Sequence, residues 1–155
     1  MKTFAELVRD LQPAVQEVFP WDIEERINEG DVPLILDVRE ESEYAAMHIA
    51  DSLNVPRGIL ETACEYDYEE TVKELVEARD RDVVVVCRSG NRSVLAAHTM
   101  QLMGYTRVSS MKTGLRGWND YELQLINSAG KAVAVEEADE FFTTRLRPDQ
   151  ESPKK

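Results

Sequence analysis

Apolar positions along this chain change their period several times, and each change marks an element. Phe4, Leu7, Val8, Leu11, Val15 and Val18 recur at helical spacing, which predicts an amphipathic N-terminal helix. Pro13 lacks an N–H and should kink or split it. Asp22-Ile23-Glu24-Glu25 reads as a capping box that opens a second helix, closed by Gly30. Residues 32–38 (VPLILDV) form an apolar, β-branched run, a buried strand. A short helix over 43–47 and an extended Leu53-Asn54-Val55-Pro56 follow. Residues 69–79 return to helical spacing through Val72, Leu75 and Val76. Val83 to Val86 is apolar on both faces, as a central parallel strand should be. Residues 93–103 read as a helix stopped by Gly104, 107–111 as a short strand and 115–125 as a last core helix. An acidic helix over 135–146 runs into the polar tail RPDQESPKK, whose last residues should be mobile. Strands alternating with helices predict an α/β fold, with a parallel sheet covered on both faces. Three parts result: an N-terminal amphipathic helical extension (1–19), a central domain (20–127) and an acidic C-terminal extension (128–155).

Composition narrows the function classes. The chain has 155 residues and a formal net charge of -12, which disfavours nucleic acid as a partner. Its charge is unevenly placed. From Val83 to Asn119 there is no Asp or Glu, while Arg88, Arg92, Arg107, Lys112 and Arg116 are present, a basic focus in an acidic protein. Lys2 is followed by Glu6, Arg9 and Asp10, so no secretory h-region forms, and the longest apolar run is too short to span a bilayer. Cys64 and Cys87 fit neither a disulfide framework nor zinc spacing. A cytoplasmic protein with reduced thiols, no metal and no membrane partner is the expectation.

The chemistry concentrates in Cys87-Arg88-Ser89-Gly90-Asn91-Arg92-Ser93. This stretch joins the Val83–Val86 strand to a helix, and in open α/β sheets ligands bind at that junction. Gly90 permits the positive φ that lets successive N–H groups curl into a nest. The following helix points its unpaired N–H groups and positive end at the same place. A cysteine there is favoured as thiolate, and Arg88 and Arg92 add to the effect. Spacing separates two candidate chemistries. A phosphatase-type loop needs arginine at position 93, and that residue is Ser93. Sulfur transfer needs no general acid, since sulfite leaves thiosulfate without a proton, and the basic segment contains no aspartate to supply one.

The ordered set of motifs resembles the rhodanese (thiosulfate sulfurtransferase) family over about residues 20–125. Asp37-Val38-Arg39-Glu40, Glu43-Tyr44, His48-Ile49 and Asn54-Val55-Pro56 are similar to its early signatures. Cys87 with Arg88, Gly90 and Arg92 is similar to its persulfide loop, and Gly114 with Trp118 to its glycine-pair and tryptophan signature. Two positions depart: Met47 stands for a glycine before His-Ile, and Thr113 for the first of the paired glycines.

The resemblance implies a three-layer fold, with a central five-stranded, mostly parallel sheet between helices. It implies that Cys87 carries a sulfane sulfur as a persulfide, its terminal sulfur held by the N–H groups of residues 88–92. Arg88, Ser89, Gly90, Asn91, Arg92 and Ser93 then form the substrate cradle, with Arg88 and Arg92 drawing in the donor's anionic end. Asp37 and Arg39 brace the loop, and Arg57 reaches towards its mouth. The donor would be thiosulfate or a persulfide, and the acceptor cyanide, a small thiol or a protein thiol, with no cofactor. A persulfide relay between proteins, through a sulfur-carrier or acceptor protein thiol, is the alternative; a phosphatase-like anion-binding domain is a weaker third. His48 is expected to be a hydrogen-bonded structural group.

Overall fold

The computed structural model describes residues 1–153. Its elements are α1 (Phe4–Leu11), β1 (Gln16–Val18), α2 (Pro20–Asn28), β2 (Leu34–Asp37), α3 (Glu41–Ala46), β3 (Leu53–Asn54), α4 (Leu60–Ala63), α5 (Lys73–Val76), β4 (Val83–Val86), α6 (Arg92–Leu102), β5 (Val108–Met111), α7 (Gly114–Asp120) and α8 (Val135–Phe142). Five strands form one sheet in the order β1-β5-β4-β2-β3, and every pairing is parallel. The expected "mostly parallel" sheet is thus wholly parallel.

The valine run of β4 sits mid-sheet, with Leu34–Asp37 in register against Val83–Val86. Successive side chains point to opposite faces. Val83 and Val85 join one core with Val8, Leu60, Leu75, Val94 and Met100, from α1, α4, α5 and α6. Val84 and Val86 join a second core with Ile23, Leu115, Trp118, Ala138 and Phe142, from α2, α7 and α8. Burial on both faces explains why the strand carries no polar alternation.

The strand order reverses between β2 and β4: β2 is followed by β3 on one side, β4 by β5 on the other. The loops leaving their carboxyl ends therefore open a crevice at the reversal.

Several element bounds differ from the sequence expectation. The N-terminal helix stops at Leu11, a 3₁₀ turn over Gln12–Ala14 contains Pro13, and residues 16–18 become the sheet-edge strand β1 against Ser109–Met111. Pairing to β5 overrides the helical spacing of Val15 and Val18. α2 begins at Pro20, before the expected box, because Asp22 sits at the third helical position and accepts from Phe19 N–H (3.0 Å). The 69–79 segment is helical only over Lys73–Val76. Beyond it, Arg79 is drawn inward to donate to the carbonyls of Cys64, Val76 and Met103. α7 ends at Asp120, since Glu122 turns left-handed (φ 59°). α8 ends at Phe142, where Thr143 becomes extended. The mobility expected of the final residues falls partly on 154–155, outside the described residues.

Candidate active site

Cys87 follows the last residue of β4 and is fully buried. Its Sγ accepts hydrogen bonds from Gly90 N–H (3.2 Å) and Ser93 N–H (3.3 Å). Ser93 Oγ lies 3.3 Å from the same sulfur and 2.7 Å from Ser110 Oγ, a buried hydroxyl pair beneath the thiol. Among the described residues, the N–H groups of Ser89 and Asn91 find no protein acceptor. The amides bonding Sγ itself are those of residues 90 and 93.

Backbone shape makes this cup. Gly90 has φ 86°, and a Cβ there would stand 2.8 Å from Thr113 N and 3.2 Å from Met111 O. Conformation and space both demand glycine. α7 fastens the loop from outside: Leu115 N–H donates to Cys87 O (2.8 Å) and Arg116 N–H to Arg88 O (3.0 Å). A Cβ on Gly114 would fall 2.5 Å from the Arg88 carbonyl, so this close approach also depends on glycine. Thr113, at the first of the paired-glycine positions, is held at φ 68°, a strained region for a β-branched residue. Its hydroxyl sits 1.8 Å from where a Cβ of Gly117 would be. Gly117 makes room for Thr113, a compensation the sequence reading did not find. Met47, the other departure, is extended and buried, and its carbonyl accepts from Arg39 Nη2 (2.8 Å).

The two loop arginines part company. Arg92 forks onto Glu43 of α3, with Nη1 and Nη2 at 3.0 and 2.9 Å. Burial would raise the Glu43 pKa, but the Arg92 fork, the Glu40 N–H and the charges of Arg92 and Arg39 outweigh it and hold the carboxyl below its ordinary value. The carboxylate missing from the 83–119 segment is thus supplied by another element. Both arginines line the cleft, but the Arg92 guanidinium is already paired there. Arg88 instead donates from Nη2 to the Phe142 carbonyl (2.7 Å), with Thr144 Oγ1 at 3.5 Å. It meets no carboxylate among the described residues.

Asp37 and Arg39 form a fully buried ion pair (2.8 Å) at the end of β2, beside β4. Asp37 also accepts from Arg39 N–H, and Asn54 Nδ2 donates to the Asp37 and Arg39 carbonyls. Val38 N–H donates to Val86 O, immediately before Cys87 (3.1 Å). Arg57 goes elsewhere, to Glu61 Oε1 (2.8 Å) and Thr99 Oγ1 (3.2 Å), and does not line the cleft. His48 Nδ1 lies 2.8 Å from Tyr44 O and its ring stacks on Tyr44, a structural placement. Cys64 is buried in the core, where loss of solvent pushes its thiol up. Among the described residues no group of His, Cys, Asp and Glu is arranged to hold a metal.

The cleft above Cys87 has a volume of about 260 Å³ and is lined by Phe4, Cys87, Arg88, Ser89, Asn91 and Arg92. Phe4 comes from α1, and nothing in its sequence spacing distinguished it from a core residue. Its ring is about half exposed (52%) and gives the mouth one apolar wall.

Comparison with known proteins bears on the family and the fold. The family described as Rhodanese-like domain matches residues 20–121. A protein named sulfurtransferase from Allochromatium vinosum is 28% identical over 116 residues, covering 75% of this chain and 99% of its own. A putative sulfur carrier protein of Bacillus subtilis is 30% identical over 105 residues, 68% of this chain, which spans about half (51%) of that relative. A putative mitochondrial thiosulfate sulfurtransferase of Schizosaccharomyces pombe is 30% identical, over 68% of this chain and 81% of its own. Among solved structures, a Rhodopseudomonas palustris protein of unknown function, titled a possible tyrosine phosphatase, superposes with a TM-score of 0.70 at 25% identity (79% of this chain, 92% of that one). Thiosulfate sulfurtransferase from Pseudomonas aeruginosa superposes with a TM-score of 0.65 at 22% identity, over 90% of this chain and 26% of that one, a likeness of fold.

Proposed function

The chain belongs to the rhodanese-like family, and from that premise we propose that Cys87 takes a sulfane sulfur from thiosulfate or a persulfide donor and passes it to a thiophilic acceptor. The observation that carries this is the Cys87 sulfur accepting two main-chain N–H groups, with further unpaired N–H donors on the same loop. Such a cup stabilises negative charge on the cysteine sulfur and on a second sulfur bonded to it.

With thiosulfate, the Cys87 thiolate attacks the outer sulfur. A Sγ–S bond forms, the S–S bond of the donor breaks, and sulfite leaves with the electron pair. Cys87 is left as an anionic persulfide. An acceptor thiolate or cyanide then attacks the terminal sulfur, and the Cys87 thiolate departs with its electrons. Arg88 draws in the anionic donor; Ser89, Gly90, Asn91 and Ser93 shape the cup; Asp37 and Arg39 brace the loop, and Arg92, paired to Glu43, stands in the cleft wall. Residues 20–127 carry the transfer domain; of the flanks, 1–19 lends Phe4 to the cleft wall and the C-terminal extension meets Arg88 through the Phe142 carbonyl. Two unpaired, buried cysteines suit a reducing compartment, the cytoplasm. No helix among the described residues is long and apolar enough to cross a membrane.

A protein-to-protein relay is the second reading, and one observation favours it. With Arg92 neutralised by Glu43, a small dianion meets one free guanidinium, not two. Relatives named as a sulfur carrier and as an adenylyltransferase and sulfurtransferase point the same way. The phosphatase reading loses ground: position 93 is a buried serine aimed at Sγ, and Arg92 is occupied.

Incubation with thiosulfate followed by mass measurement tests the proposal. One added sulfur atom on the wild-type chain, absent from Cys87→Ser, is expected. No gain with thiosulfate, or an undiminished gain in Cys87→Ser, overturns the thiosulfate reading. Slow turnover with thiosulfate and cyanide, together with fast exchange between loaded Cys87 and a protein thiol, selects the relay.

A further inference from the structure

We propose that the C-terminal segment 135–144 is a working part of the cleft: through the Phe142 carbonyl it positions Arg88, the guanidinium left available to an anionic sulfur donor. The inference rests on the reading of Cys87 as the sulfur acceptor and adds a positioning element that lies outside the family match, which ends at residue 121.

The segment is anchored independently of Arg88. Ala138 and Phe142 are buried in the core beside Leu115 and Trp118. Asn119 of α7, itself buried, donates to Asp139 Oδ1 (2.6 Å). Thr143 Oγ1 donates to Asp139 O (2.7 Å), and the chain becomes extended there, ending α8. Phe142 O therefore belongs to the last turn, whose carbonyls lack helical donors and carry the negative end of the helix dipole. Arg88 Nη2 supplies the missing donor (2.7 Å).

The clasp positions the side chain and leaves it usable. It engages Nη2 alone; the donors on Nε and Nη1 have no partner among the described residues. The carbonyl is neutral, so the charge of Arg88 is kept, whereas the Glu43 fork cancels that of Arg92. An arginine on a short loop would otherwise sample many rotamers, and fixing it beforehand removes that entropy from the binding of the donor. Arg88 and Phe142 lie 54 positions apart, and the contact uses a main-chain atom.

A double-mutant cycle decides the matter. Single-turnover loading of Cys87 is followed against thiosulfate concentration in the full chain, in a chain ending at Ala134, in Arg88→Ala and in the combination. Shortening should raise the thiosulfate concentration for half-maximal loading about tenfold and leave the saturating rate alone. In the Arg88→Ala background it should change nothing further. Discharge of the preloaded persulfide to β-mercaptoethanol, an uncharged thiol, should be the same with and without the segment. Equal slowing in both backgrounds, or none in either, overturns the positioning role. Should the shortened chain fail to fold, Asp139→Ala serves instead: the residue is exposed and only its anchor to Asn119 is lost. A rise of a few fold that vanishes with Arg88→Ala supports the clasp, and no rise rejects it. A full chain that takes up no sulfur fails the parent reading; one that loads normally without segment 135–144 fails only this inference.

Discussion

Arg88 and Arg92 look interchangeable in the sequence, four positions apart on one loop and flanking the same glycine, yet they meet opposite surroundings. The Arg92 side is built from charge. Its guanidinium forks onto Glu43, and the buried Asp37–Arg39 pair lies behind. The Arg88 side is built from a neutral carbonyl, that of Phe142, and keeps its positive charge at the mouth. A guanidinium beside a cysteine is therefore not by itself an anion-binding group. What decides is whether the protein has already supplied the anion.

The contrast can be broken most forcefully from beneath. Arg39→Met leaves Asp37 buried without its partner and should lower unfolding stability by roughly 3–5 kcal/mol in urea melts. The loss should arise on the Arg92 side, because Asp37 and Arg39 both act on the Glu43–Arg92 fork. A smaller effect is expected from Arg92→Ala, which strands a half-buried carboxylate and should remove about 1–3 kcal/mol in the same measurement.

Acid titration separates the two sides without mutation. Glu43 has a folded pKa below its ordinary 4.5. Its stabilising contribution is therefore complete above that value and is lost as pH falls through the lower folded one. Glu43→Gln should flatten this acid limb, whereas Arg88→Ala should leave it in place. The smallest change is expected at the apolar wall. Phe4→Ser alters a half-exposed ring and should shift stability by less than ~0.5 kcal/mol, measurable as an almost unchanged denaturant midpoint.

How much of this was legible in the sequence depends on which atoms carry the information. β4 and its loop were plain, because a valine run buried on both faces meets a glycine whose position admits no Cβ. Cys87, Gly90 and Ser93 followed from that punctuation. Glu43 and Arg92 each appeared in a recognisable motif, but their pairing did not, since a fork between α3 and α6 is set by the packing of the sheet. The Arg88 clasp left no trace at all: a carbonyl is common to every residue. β1 was hidden for a related reason. Three residues gain strand character from pairing with β5, and their spacing alone continues the helix before them.

The most direct test of the unequal arginines is the single-turnover rate at which subsaturating thiosulfate loads Cys87, compared between Arg88→Ala and Arg92→Ala under conditions where both remain folded. Removal of Arg88 should slow loading about ten- to a hundredfold, the worth of a charge-assisted contact, while removal of Arg92 changes it less than about threefold. Equal slowing in the two variants, or the larger loss with Arg92, would contradict the division of labour between them.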